Sequence, residues 1–440
     1  MVGGTIMRQF CLFLLCLFSV AGYAKPPKNL IVVIGDGMGP AHITAYRHFY
    51  HALTGQDGPT VFDELLIGSV RTDNVHANQV TDSAASATAY ACGFRTDNGA
   101  LCVKPNGTRG KSLFAYAAEA GKWTGLVVTS QITHATPAAF VAHNRHRRDY
   151  KNIAREYLAR MADGRLALQV LMGGGRAHLA KASPDWRQLV QQAGFERIET
   201  MAALHNYKGN KPVIGVFADE GLAAYLDRRN GHVQQPSLPE MVDKALARLS
   251  QNPKGFVLLV EGSQIDWASH DNDIVDTLWE THELALTVQK LRAFVKQQPD
   301  TALVITADHE TGGLSLGSQG KYEWRPRLVT QANMSLRSVE QAVRRSQKIV
   351  VPAPQFEVLQ RNKAPLAEWN RLWNQLTVTG WTTTGHTGVD VPLMADGHGR
   401  DALIGTHDND ALGRLFIRWQ TPSTVHESAH QKYRSDLASH

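Results

Sequence analysis

Four short apolar runs, each stopping abruptly at acidic, hydroxyl or glycine residues, constrain this chain most. Leu30 to Ile34 runs into Gly35-Asp36-Gly37, and Gly125 to Val128 into Thr129-Ser130. Phe256 to Val260 runs into Glu261-Gly262, and Ala302 to Ile305 into Thr306-Ala307-Asp308-His309. Runs of this length without polar alternation are the pattern of strands buried on both faces. Between them lie helix-like segments. Asp82 to Cys92 is Ala-rich and stops at Gly93, and Lys111 to Ala120 stops at Gly121. Pro239 to Ser250 and Asp271 to Gln298 have no proline after the first position. The alternation predicts an α/β fold, doubly wound, with a mostly parallel central sheet and helices on both faces. Ligands in such folds bind beyond the carboxyl ends of the strands. Asp36, Glu261, Asp308 and His309 fall at that edge.

The chain has 440 residues, 43% hydrophobic and 20% charged, a globular composition that excludes a disordered chain. Its formal net charge of +6 favours anionic substrates only weakly. The basic residues are scattered without interleaved aromatics, so no nucleic-acid partner is expected.

At the N-terminus Arg8 precedes the apolar run Phe10 to Val20, followed by Ala21-Gly22-Tyr23-Ala24. The run is short for a membrane span, and small residues stand at Gly22 and Ala24. Residues 1–24 read as a cleaved signal peptide, the alternative being an uncleaved anchor. Residues 25–440 then form a single exported domain with no membrane span. Leu314 to Thr379 interrupts the strand–helix pattern and reads as a peripheral insertion. The polar tail from Ser423 reads as a surface helix or a frayed end. The mature chain keeps two cysteines, Cys92 and Cys102, which either form a disulfide or pack as thiols. Gly173-Gly174-Gly175 lacks the dinucleotide fingerprint and the Walker lysine, and reads as a tight turn.

Five segments carry chemistry. Ile34-Gly35-Asp36-Gly37-Met38-Gly39 exposes Asp36 on a sharp turn. Val80-Thr81-Asp82-Ser83-Ala84-Ala85-Ser86-Ala87-Thr88-Ala89 surrounds Ser83 with small residues at a helix start, where N–H groups favour an anion. Thr133-His134-Ala135-Thr136-Pro137 is followed by Arg145, Arg147 and Arg148. Glu261-Gly262-Ser263-Gln264-Ile265-Asp266-Trp267-Ala268-Ser269-His270 sets Asp266 and His270 on one helical face, a spacing that suits two ligands of one zinc. Asp308-His309-Glu310-Thr311-Gly312-Gly313 is joined later by Gly385-His386-Thr387-Gly388.

Asp-Ser-Ala-Ala-Ser-Ala-Thr-Ala resembles the nucleophile segment of alkaline phosphatases, and the other segments resemble that family in order and spacing from about Asn29 to about Gly413. The resemblance implies an enzyme that hydrolyses small phosphate monoesters to inorganic phosphate at alkaline pH, through a phosphoserine on Ser83. It implies two Zn2+ ions and one Mg2+. Asp266, His270 and His386 would hold the first zinc, and Asp36, Asp308 and His309 the second. Asp36, Thr136 and Glu261 would hold the magnesium. Arg147 would clamp the phosphate, with Arg145 and Arg148 as neighbouring competitors. His134 and Trp267 stand near the third metal or the phosphate, where other members carry Asp and Lys. This pair leaves the third metal open to replacement by another divalent ion. A homodimer is likewise implied by the resemblance. The Ser/Cys-x-Pro-x-Arg context of sulfatases is absent around Ser83. The complete ligand set argues against a non-catalytic metal or phosphate binder.

Overall fold

The structure is a computed structural model that describes residues 25–76, 79–347, 349–350 and 354–421. The signal-peptide segment and the tail from Ser423 lie outside the described residues.

Ten strands form one sheet. In spatial order they are Gly405–Asp408, Leu66–Arg71, Val391–Gly397, Thr301–Thr306, Asn29–Gly35, Phe256–Gly262, Trp123–Gln131, Leu168–Gly174, Val213–Val216 and Glu196–Ile198. Neighbouring strands pair in parallel, except that Val391–Gly397 runs antiparallel to both its neighbours. Helices flank the sheet, as the alternation predicts. The three central strands Thr301–Thr306, Asn29–Gly35 and Phe256–Gly262 are buried along their whole lengths, which explains their unbroken apolar sequences.

The register of these strands builds the site. Ile34 pairs with Thr306 on one side and Glu261 on the other, and Val128 pairs with Glu261. Four strands therefore end at one level, and the residues just beyond them emerge side by side.

The helices follow their sequence signals. Ser83–Cys92 is capped by Asp82, whose side chain accepts the Ala85 N–H. Leu238–Leu249 starts with proline in its first turn and a Ser237/Glu240 capping box. Ile274–Gln297 is capped by Asp273. Lys111 to Ala120 yields a shorter helix, Leu113–Glu119, because Ser112 takes the cap position. Cys92 and Cys102 are joined in a disulfide that closes the loop after the Ser83 helix. Closing so short a loop contributes roughly 2–4 kcal/mol. The glycine run ends the Leu168–Gly174 strand; a Cβ on Gly174 would lie 1.7 Å from the Glu220 carbonyl oxygen. Between residues 314 and 379, Ser315–Leu316 pairs antiparallel with Thr379–Gly380, and the helices Leu336–Arg344, Pro354–Arg361 and Leu366–Thr377 lie between these strands.

Candidate active site

Asp36, Asp308 and His309 converge where two central strands end, and all three are fully buried. His309 Nε2 lies 3.3 Å from Asp308 Oδ2 and 3.5 Å from Asp36 Oδ1. Gly37 makes the turn possible. Its φ is +77°, and a Cβ there would come within 2.9 Å of the Asp266 Cα. Burial and the Asp308, Asp266 and Glu261 charges push the Asp36 carboxyl well above the ordinary range. Burial pushes Asp308 up to about 6, and burial drives His309 down to about 4.

Asp266 and His270 lie on the short helix Gln264–His270, and His386 arrives from a small strand paired with Glu310–Thr311. The Nδ1 atoms of His270 and His386 face the backbone carbonyl oxygens of Thr384 and Thr81. Only an N–H satisfies a carbonyl, so each Nε2 is left to face Asp266. These nitrogens stand 3.3 Å and 3.6 Å from Asp266 Oδ1 and 3.2 Å from each other. Asp266 favours positive charge in this gap and raises His270 to about 9. The His309 and His386 rings stack at 3.5 Å, which sets the two ligand groups side by side.

A third group joins Asp36, Glu261 and His134. In each of the three groups, the ligating atoms lie within 4.8 Å of one another. Burial raises Glu261 to about 7 and, with the Arg147 charge, lowers His134 to about 3. Thr136 is fully buried beside them, and its hydroxyl oxygen has no partner among the described residues. The same is true of both Asp36 oxygens, Asp308 Oδ2, Glu261 Oε1 and His134 Nδ1. Buried polar atoms normally find partners, so this concentration of unpaired donor atoms fits a set of metal ligands. All three groups mix carboxylate and imidazole, as zinc accepts, and with the Thr136 hydroxyl beside Glu261 the third becomes the richest in oxygen.

Ser83 opens its helix at the edge of this set. Its Oγ lies 3.1 Å from His309 Nε2. A cavity of about 430 Å³ in front of it is lined by Ser83, Arg147, His134, Asp266, Trp267 and His386, among others. Arg147 Nη1 donates to Asp82 Oδ2 at 3.0 Å, and Nη2 lies 3.4 Å from His134 Nε2. Arg148 also lines this cavity, whereas Arg145 packs over Gly107. The Trp267 ring meets His134 edge-on, with centroids 5.8 Å apart.

Every expected metal ligand, with Ser83, Arg147, His134 and Trp267, is in this neighbourhood, whereas Arg145 does not line the cavity. Two other site residues were not visible in the sequence. Asp82, the cap of the Ser83–Cys92 helix, also holds the Arg147 guanidinium and accepts the Gly99 N–H. Thr311 lies between the two zinc-type groups, with Oγ1 donating to Asp266 Oδ1 at 2.5 Å and standing 3.2 Å from His309 Nδ1. Arg147 as a phosphate anchor implies a counterion, which is a weak sequence signal for Asp82; nothing in the sequence marks Thr311.

The family model described as Alkaline phosphatase matches residues 27–420. Alkaline phosphatase 4 of Bacillus subtilis (strain 168) is 37% identical over 411 residues, covering 89% of this chain and 88% of that protein. The cold-active alkaline phosphatase of the psychrophile Shewanella sp. superposes with a TM-score of 0.80 at 36% identity, over 90% of this chain and 100% of that one. A histidine-to-aspartate variant of TAB5 alkaline phosphatase, solved with Mg bound in its M3 site, superposes with a TM-score of 0.68 at 25% identity, over 90% and 99%.

Proposed function

The chain belongs to the alkaline phosphatase family and is a phosphate monoester hydrolase, and on that premise we propose that Ser83 carries the phosphoryl group between substrate and water. The observation that carries this reading is the Ser83 hydroxyl, 3.1 Å from His309 Nε2 and sharing a cavity with Arg147.

The phosphate of a small monoester enters this cavity. Arg147 holds two of its oxygens through parallel N–H donors and fixes phosphorus in line with Ser83 Oγ. The N-terminus of the Ser83–Cys92 helix adds N–H groups and a favourable dipole for the anion. Asp82 orients the guanidinium and leaves its remaining donors to the ligand. The Ser83 oxygen attacks phosphorus as its proton is lost. The phosphorus–serine bond forms, the bond to the leaving oxygen breaks, and the alcohol departs. Water then attacks the phosphoserine, releasing inorganic phosphate and restoring the hydroxyl.

Asp266, His270 and His386 would hold one zinc, Asp36, Asp308 and His309 a second, and Asp36, Glu261, Thr136 and His134 a third cation. Bound there, these cations supply Lewis acidity that lowers the serine pKa and neutralises charge on the departing oxygen. Magnesium is the proposed third cation, and an alkaline optimum follows from the need for an ionised serine. His134 adds a nitrogen to that set, so another divalent ion would compete. The TAB5 variant, in which aspartate replaces histidine and Mg is bound, supports this view of the third position. Trp267 is proposed to pack against His134 without touching phosphate. Export through residues 1–24, a single catalytic domain over 25–440 with a peripheral insertion at 314–379, and a homodimeric assembly complete the reading. Among the described residues, no helix is long and apolar enough to cross a membrane.

The test is turnover of an aryl phosphate monoester against the corresponding diester, before and after chelation. The expected result is dominant monoester hydrolysis, abolished by chelation and restored by zinc with magnesium. Dominant diester hydrolysis would overturn the reading.

A further inference from the structure

The loop between Cys92 and Cys102 turns back along the helix that carries Ser83 and is fastened to it along its whole length. The disulfide joins it to the last residue of the helix. Further back, the Thr88 hydroxyl donates to the Ala100 carbonyl at 3.0 Å and accepts the Cys102 N–H at 2.9 Å. At the start of the helix, the Gly99 N–H meets both oxygens of the capping residue Asp82, at 3.1 Å and 3.0 Å. The Asn98 side chain strengthens this last contact, accepting the Asp82 N–H and donating to the Val80 carbonyl.

The same loop grips the segment that leads to Arg147. The Leu101 N–H donates to the Asn144 carbonyl at 2.7 Å, and the Asn144 N–H returns to the Leu101 carbonyl at 3.1 Å. The Arg147 N–H donates to the Gly99 carbonyl at 2.8 Å. Gly99 therefore holds both members of the Asp82–Arg147 ion pair. Its N–H takes the carboxylate, and its carbonyl takes the backbone of the arginine.

A guanidinium on a long side chain holds phosphate well only where its position is set beforehand. Asp82 fixes the charged end of Arg147, and Gly99 fixes both Asp82 and the main chain at the other end. Gly99 has a φ of +87°, in the left-handed region. A Cβ there would meet only the Arg145 carbonyl oxygen within 4 Å, at 3.9 Å. Space is open, so the backbone conformation is what calls for glycine.

We propose that Gly99 is a positioning residue of the phosphate clamp, kept in register by the Cys92–Cys102 disulfide. The loop sets the Arg147 segment against the start of the Ser83 helix, and so sets the distance from clamp to nucleophile. The proposal rests on the reading of Arg147 as the group that holds phosphate.

The test uses the zinc- and magnesium-loaded enzyme, with KM for a phosphate monoester and Ki for inorganic phosphate as readouts. Gly99→Val places a β-branched residue at positive φ and is expected to raise both constants about 3- to 10-fold, with zinc content retained. Gly99→Asn, which tolerates the left-handed region, should recover most of the loss. Replacing Cys92 and Cys102 together by alanine should shift both constants in the same direction as Gly99→Val. Partial unfolding alone would lower kcat and leave both constants as they are. In an Arg147→Ala background, Gly99→Val should have no further effect on phosphate affinity, because it acts through Arg147. Unchanged constants in Gly99→Val, or an undiminished effect in the Arg147→Ala background, would overturn the proposal. A lower melting temperature with unchanged constants in the disulfide-free variant would also overturn it, since the bond would then serve stability alone. If Arg147→Ala itself left phosphate affinity unaltered, the reading of the clamp would fall, and this proposal with it.

Discussion

Thr311 Oγ1 donates to Asp266 Oδ1 and stands 3.2 Å from His309 Nδ1, so one hydroxyl spans the two zinc-type groups. Its single proton goes to Asp266, which leaves its lone pair to accept from His309 Nδ1. The His309 Nε2 lone pair is thereby turned towards Asp36, Asp308 and Ser83. Thr311→Val keeps the shape and removes this relay. Zinc affinity is expected to fall about 10- to 100-fold, the usual cost of losing an outer hydrogen bond to a ligand. Competition with a chromogenic chelator measures it, and unchanged zinc retention would show that the relay does not hold the ligands.

Arg147 is the arginine expected to matter among its neighbours. Losing a hydrogen bond to a charged group costs about 1.5–3 kcal/mol, so Arg147→Ala should lower kcat/KM about 10- to 150-fold. Inhibition by inorganic phosphate should weaken in parallel. Arg147→Lys should recover only part of this, since a lysine lacks the paired donors. Arg145→Ala, at a side chain packed over Gly107, should leave the kinetics unchanged.

Chelation should destabilise the protein more as pH rises. Asp308 and Glu261 are raised by burial to about 6 and about 7, above their values in an unfolded chain. Without metal, the native state therefore binds more protons than the unfolded state across that window. Stability is then lost as pH rises through it. Bound cations offset the charge and remove this loss. The gap in melting temperature between loaded and chelated protein should accordingly be larger at about pH 8 than at about pH 5. A gap that stays constant or shrinks contradicts the ligand roles of these two carboxylates.

His134→Asp converts the third group to oxygen donors only. Magnesium retained after gel filtration should increase, and zinc in that position should decrease, as read by elemental analysis. Unaltered metal content would mean that His134 does not reach the third cation.

Much of this site is legible from the sequence because its residues follow local rules. Asp36, Glu261 and Asp308 each sit just past an unbroken apolar run, and strands of that kind end together in a parallel sheet. Asp266 and His270 share a face because they are four apart on a helix. Other features depend on contacts that no local pattern records. Val391–Gly397 carries no mark of its direction. It runs antiparallel because of where the chain re-enters the sheet after the 336–377 helices. His134 approaches Glu261 because Trp123–Gln131 pairs with Phe256–Gly262, a partnership between segments more than a hundred residues apart.

The most direct measurement is to identify the residue that carries phosphate during turnover. The metal-loaded enzyme would be mixed with a phosphate monoester, quenched in acid, and mapped by mass spectrometry. Phosphate is expected on the peptide containing Ser83. In Ser83→Ala it should be absent, with turnover lost and zinc content retained. Phosphate on another residue, or turnover surviving in Ser83→Ala, would contradict the assignment of Ser83 as nucleophile.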